Sequence, residues 1–146
     1  STTYRTQAIE HLYDVAFAGD IVNPYFFDFG LIKDASNNLF LLSPSLFDSL
    51  NLMPEFNEYK NSFRRTRFEA YTGTIDLLNL SSTNALNTLT FNSLQNDLNI
   101  TSNSGKIQVQ NGAQFMFKTA EGKKGIGRFK NVVAGVSTEL ILVFQR

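Results

Sequence analysis

A chain of 146 residues is one domain by the usual size relation. It is long enough to bury about two-thirds of the surface it exposes when unfolded, so a core can form without staples. Thirteen basic residues balance thirteen acidic ones and cysteine is absent, which gives no electrostatic reason to expect nucleic acid or an anionic membrane as partner and removes disulfides, thiolate metal sites and thiol catalysis together.

From the N-terminus, Tyr4 to Ala18 fits two patterns. Ile9, Leu12, Tyr13 and Ala16 fall at helical spacing, whereas Ile9, His11, Tyr13, Val15 and Phe17 fall on one face of a strand, and local pattern leaves both open. Gly19-Asp20 breaks the segment and Asn23-Pro24 turns it. Tyr25 to Ile32 reads as an aromatic strand in which Tyr25, Phe27, Phe29 and Leu31 alternate with Phe26, Asp28 and Gly30. Asp34 to Asn38 is a turn by composition, and Leu39 to Leu42 is a short apolar strand that completes a hairpin. Ser43-Pro44 suits a helix N-cap and first position, with Leu46, Phe47 and Leu50 on one helical face, so one or two helical turns are expected. Met53-Pro54 restarts the chain, Glu55 to Asn61 is a second short helical piece, and Phe63 to Tyr71 is a strand. Asp76 to Gly105 is rich in Asn with irregularly spaced Leu, which predicts helical turns and loops packed over a sheet edge.

The C-terminal run is the least ambiguous. Ala113 to Thr119 places Phe115, Phe117 and Thr119 on one face and Gln114, Met116 and Lys118 on the other. Ala120 to Lys123 suits a tight hairpin closed by Gly122 at positive φ. Lys124 to Val133 is the return strand, and its Gly125 and Gly127 predict a bulge or a close backbone approach, with the pleat interrupted near Ile126. After a turn at Ala134-Gly135, Glu139 to Phe144 is apolar on both faces, as in a strand covered on both sides. Together these make a β-meander.

The stretch Phe115 to Val132 resembles the C-terminal signature of domains of secreted or outer-membrane lipoproteins of Bacteroidetes, many without an assigned activity. Ala8 to Phe17, Ser43-Pro44, Thr66-Arg67-Phe68 and Phe91 to Leu98 follow the order of pieces in such domains, while the Asn-rich stretch before Phe91 departs from their spacing. The resemblance implies a compact, mainly β, extracytoplasmic module and carries over no catalytic residue set. No apolar run approaches the roughly 20 residues of a membrane span. The chain begins at Ser1 without Met, as a mature or trimmed chain would, which leaves room for a signal or lipid anchor upstream.

The chemistry is sparse. His11 is the only histidine, so no histidine metal cluster can be assembled, and no nucleophile-elbow motif accompanies it. Asp14, Asp28, Glu55 and Glu58 could pair for glycoside hydrolysis only at separations of roughly 5 to 10 Å set by the fold; solvated surface acids are the plainer reading. Gly122 to Gly127 lacks the Lys-Ser/Thr and helix of a phosphate loop, and no cofactor motif is present. Arg64, Arg65 and Arg67 between Phe63 and Phe68 fit a half-solvated sheet surface better than a base-stacking platform. Asn79-Leu80-Ser81 and Asn99-Ile100-Thr101 match the N-glycosylation acceptor pattern.

One binding constellation stands out. Tyr25, Phe26, Phe27 and Phe29 cluster beside Asn23 and Asp28, and a strand cannot point four such rings into one core. An exposed Tyr25 or Phe27 rimmed by Asn23 and Asp28 would stack on a sugar ring; packing of the rings into a sheet covered on both faces is the bland alternative. The sequence therefore predicts a mainly β domain spanning residues 1–146, an antiparallel β-sandwich with one or two short helices and a C-terminal β-meander. Its expected role is non-enzymatic, a surface module for protein interaction or assembly. A carbohydrate-binding module is the alternative, and an esterase or glycosidase comes further behind. The expected partner is another surface protein or a glycan, with no nucleic acid, no integral membrane span and no cofactor.

Overall fold

A computed structural model of the protein describes residues 13–14, 28–52, 54–78 and 91–145. Eight strands occur among them: β1 (Tyr13–Asp14), β2 (Gly30–Lys33), β3 (Leu39–Leu42), β4 (Arg67–Ala70), β5 (Lys106–Gln108), β6 (Gln114–Lys118), β7 (Lys124–Val133) and β8 (Ser137–Phe144). One sheet has the order β1-β2-β3-β5 and the other β4-β6-β7-β8. All pairings are antiparallel except the two-residue parallel contact of β1 with β2. The architecture is the expected mainly β sandwich.

Strand alternation determines which residues fill the space between the sheets. Leu31, Leu39, Leu41 and Ile107 come from the first sheet; Phe68, Phe115, Phe117, Phe129, Leu140, Leu142 and Phe144 come from the second. Phe29 joins them, edge-on to Phe68 and Phe117 with ring centroids 5.5 Å away in both pairs. Among the described residues, five fully buried phenylalanines, Phe29, Phe68, Phe115, Phe117 and Phe129, lie in this layer, and a sixth, Phe47, lies outside it.

The glycines of β7 belong to this packing. In register, Phe115 lies opposite Gly127 and Phe117 opposite Gly125. A Cβ on Gly125 would come within 2.3 Å of the Phe117 ring, and one on Gly127 within 2.4 Å of the Phe115 ring. The rings of β6 thus lie over bare backbone of β7, a close approach that only glycine permits. The interruption expected near Ile126 does not occur: pairing is continuous from Lys124 to Arg128, and the irregularity of β7 lies instead between Lys130 and Val133. The glycines accommodate rings without interrupting the pleat.

Both sheets are covered on their outer sides as well. Met116, Ile126, Ile141 and Val143 meet Leu77, Leu94, Leu98 and Ile100, contributed by the short helix α1 (Phe91–Asp97) and flanking chain. This explains why β8 is apolar on both faces. Leu42 and Ile32 on the outer side of the first sheet meet Phe47, Phe63, Leu46, Leu52 and Phe56. Those residues come from a 3₁₀ turn (Pro44–Leu46), a 3₁₀ segment (Pro54–Ser62) and the chain around them.

Local chemistry fixes the connections. Asp34 Oδ1 accepts from the N–H groups of Ser36 and Asn38 at 3.0 and 2.8 Å, with Asn37 at φ 67°, so the β2–β3 turn is held by its own aspartate. Ser43 caps the 3₁₀ turn with Pro44 at its first position. Gly122 takes φ 83° in the β6–β7 turn, as expected. The strand expected over Phe63 to Tyr71 is shorter, Arg67–Ala70, because Phe63 turns into the 3₁₀ cover. Of the strand expected over Tyr25 to Ile32, residues 25–27 lie outside the described residues, as do most of Tyr4 to Ala18. No helix among the described residues is long and apolar enough to cross a membrane.

Gly127→Ala should destabilise the protein by about 1–3 kcal/mol through overpacking against Phe115. Gly122→Ala meets open space and should cost about 1 kcal/mol from its positive φ alone. Urea unfolding of the two variants would separate these effects, and equal costs would contradict the ring-on-glycine packing.

Candidate functional site

Two ends of the sandwich gather the polar and exposed groups. At one end, Asp28 leads into β2, Ser43 follows β3, Arg64 to Thr66 lead into β4, and Glu121 sits in the β6–β7 turn. Asp28 is only 2% exposed. Arg64 Nη1 lies 3.4 Å from Asp28 Oδ1 and 2.8 Å from Glu121 Oε1, so one guanidinium bridges a buried and an exposed carboxylate. Burial alone would lower the Arg64 pKa, but the Asp28 charge, followed by the hydrogen bond and charge of Glu121, outweighs it and raises the value above the ordinary guanidinium one. The pair is therefore ionised on the Arg64 side at any pH the fold survives.

The neighbouring hydroxyls complete the junction. Thr66 Oγ1 donates to the Asp28 carbonyl, and the fully buried Ser43 accepts from Thr66 N at 2.9 Å. Ser43 Oγ also reaches the Arg64 carbonyl at 3.2 Å. The capping serine and the bridging arginine thus tie four segments together. The chemistry this arrangement supports is anchoring.

At the opposite end, the β7–β8 ribbon projects past β6. The last β6–β7 pair is Gln114 with Arg128, whereas β7 continues to Val133. Lys130 Nζ lies 3.7 Å from Glu139 Oε2 and Asn131 Nδ2 donates to the same oxygen at 3.0 Å. Val132 N donates to Asn111 Oδ1 at 3.3 Å, so the ribbon is braced by the loop before β6. Its turn closes with Val136 N on Val133 O at 2.9 Å and Gly135 at φ 68°. A Cβ on Gly135 would come within 2.2 Å of the Asn37 amide, which places the β7–β8 turn against the β2–β3 turn. Val133 and Val136 are 53% and 63% exposed there, flanked by exposed Ala134 and Asn131.

Of the residues singled out in the sequence, Asn23, Tyr25 and Phe27 lie outside the described residues. Asp28 is placed, buried against Arg64. Phe29, from the same aromatic cluster, is fully buried in the central layer. Glu55 and Glu58 are exposed on the 3₁₀ segment, and Glu58 raises the pKa of the exposed Tyr59 phenol by hydrogen bond and charge. His11 lies outside the described residues, as does Asn79; Asn99 is exposed. No group of three or more His, Asp or Glu suited to a metal gathers among the described residues. The valine tip went unremarked in the sequence. Its signal is a difference of length, since the apolar run returning after Gly135 and the strand before it both outlast the five residues of β6.

Comparison of the chain with protein-family models, with curated proteins and with solved structures finds no match in any of the three.

Arg64→Met would remove the bridging charge from Asp28. It should destabilise the protein by about 1–3 kcal/mol, whereas Glu121→Gln, at the exposed end of the bridge, should cost less than about 1 kcal/mol. Thermal unfolding of both variants checks this, and similar losses would mean that the buried carboxylate does not depend on Arg64.

Proposed function

We propose that this chain is a non-enzymatic, extracytoplasmic module of an exported or lipid-anchored bacterial surface protein, serving protein interaction or assembly through the valine end of the sandwich. The observation that carries the reading is the pair Val133 and Val136, more than half exposed on a turn braced from two sides by the Asn37 and Asn111 loops. Isolated exposed aliphatics are ordinary. Two from one turn, with Ala134 between them and the amides of Asn37, Asn111 and Asn131 on the adjoining turn, loop and strand, give a small apolar centre with polar neighbours, the anatomy of a protein contact. Loops gathered at one end of a sandwich are also where such folds place recognition. The extracytoplasmic placement rests on the resemblance of the C-terminal meander alone.

The second reading is a carbohydrate-binding module built on Tyr25 and Phe27 with Asn23, in which Asp28, expected as a rim group, is instead buried against Arg64. Its support is that Asp28, fixed by Arg64 and Thr66, anchors the chain directly after the aromatic run.

The two readings give opposite results in paired experiments. Proximity labelling on native cells, with Val133→Asp and Val136→Asp combined, should lose a defined set of neighbours that the unaltered protein labels. Retention of that set would sink the first reading. Affinity electrophoresis against soluble polysaccharides should then show no retardation, while retardation abolished by Tyr25→Ala would establish the second.

A further inference from the structure

We infer that the outer face of the second sheet carries an oxyanion-binding site formed by Arg67, Lys118 and Lys124, which takes a sulfate or phosphate group. The inference is independent of any contact at the valine end.

Register places the three cations in one row. Arg67 of β4 pairs with Lys118 of β6, and Lys118 pairs with Lys124 of β7. Directly opposed residues share a face, and their neighbours identify it: Phe68, Phe117 and Gly125 belong to the central layer, so Arg67, Lys118 and Lys124 point to the other side. With strands about 4.8 Å apart, the row spans about 10 Å. Like charges directly opposed across strands are destabilising, and here two such pairs share one lysine.

None of the ion pairs among the described residues includes any of the three. Lys124 has neutral acceptors, the Gln95 and Leu98 carbonyls at 2.9 and 2.7 Å, and so stays fixed at the end of α1. Glu69 lies two residues beyond Arg67 on the same face, but its Oε1 accepts from Thr101 N, Thr101 Oγ1 and Ser102 N. Glu121, in the turn between Lys118 and Lys124, pairs with Arg64. Arg67 and Lys118 are half-buried cations with no carboxylate partner among the described residues, in a chain whose formal charge is zero. A neutral chain has no need to concentrate charge in this way for solubility. A planar guanidinium beside two ammonium groups matches the donor demand of a tetrahedral oxyanion. Base stacking, by contrast, has no aromatic platform in the row.

The test is a titration of the full chain with inorganic sulfate and with inorganic phosphate at constant ionic strength, read by amide chemical shifts. Saturable shifts centred on β4 and β6 are expected. The double variant Arg67→Gln, Lys118→Gln should bind about tenfold or more weakly, while Lys130→Gln, remote from the row, should bind as the unaltered protein does. The double variant should also unfold at a higher temperature in the absence of added anion, because opposed charges are removed. A sulfated polysaccharide and its desulfated counterpart form the second arm. Preference for the sulfated form places the group on a glycan, and equal indifference to both, with inorganic anions still bound, places it on a small ligand; either supports the site. No saturable shift, or a shift unchanged in the double variant or equally lost in Lys130→Gln, overturns it.

Discussion

Two phenylalanine rings resting on two glycines set the geometry from which the rest follows. Phe115 over Gly127 and Phe117 over Gly125 place bulky groups and empty positions directly opposite each other, so one side chain fills the volume of two along each cross-strand pair. Phe115 then stacks on Phe129 with centroids 4.8 Å apart, and Phe29, directly before β2, closes edge-on against Phe68 and Phe117. Offset and edge-on contacts of this kind add to the area each ring buries. In a chain without cysteine, this layer and the two outer clusters supply the apolar burial that holds the sheets together.

Around that layer the sandwich is closed by side chains that behave as additional backbone. Gln114 Nε2 donates to the Ile75 carbonyl and its Oε1 accepts from Leu77 N, both at 2.8 Å, so one amide imitates a strand pairing and holds Leu77 over the sheet. Glu69 accepts from two successive N–H groups of the 101–102 loop. Gln145 Oε1 accepts from Lys124 N at 2.9 Å. Each ties a backbone group of a loop or strand end to a side chain of the sheets or their flanks. The apolar cover and the polar ties come from the same loops, which is why those loops can stay close to the sheet.

The legible part of the fold was the part governed by local rules. The period of two between Gln114 and Lys118, the glycine in the hairpin and the two-sided apolar run before Phe144 each describe their own neighbourhood, and the strand from Lys124 to Val133 was bounded correctly. The pleat around Ile126 was misread because a glycine in a strand has two explanations, a bulge or an approaching ring, and only cross-strand register selects between them. Register also decides that Arg67, Lys118 and Lys124 are neighbours, although they lie in three separate stretches of sequence. Asp28 looked like a rim group for an aromatic platform; its pairing with Arg64, 36 positions away, depends on where β2 and β4 begin. The irregular leucines after Asp76 made sense only once the outer face of β6 and β7 was present to receive Leu77, Leu94 and Leu98.

That dependence reaches the helix itself. α1 has seven residues, well below the roughly 12 at which an isolated helix begins to persist in water. Its last turn is held from outside, by the Lys124 ammonium on the Gln95 and Leu98 carbonyls and by Gln145 Nε2 on the Gln95 side chain. Both holders belong to β7 and the residue after β8, so these ties exist only where the meander brings the two side by side. Undocking of α1 alone would therefore uncover Ile126 and Val143 on the outer face of the second sheet while the central layer of phenylalanines stays closed.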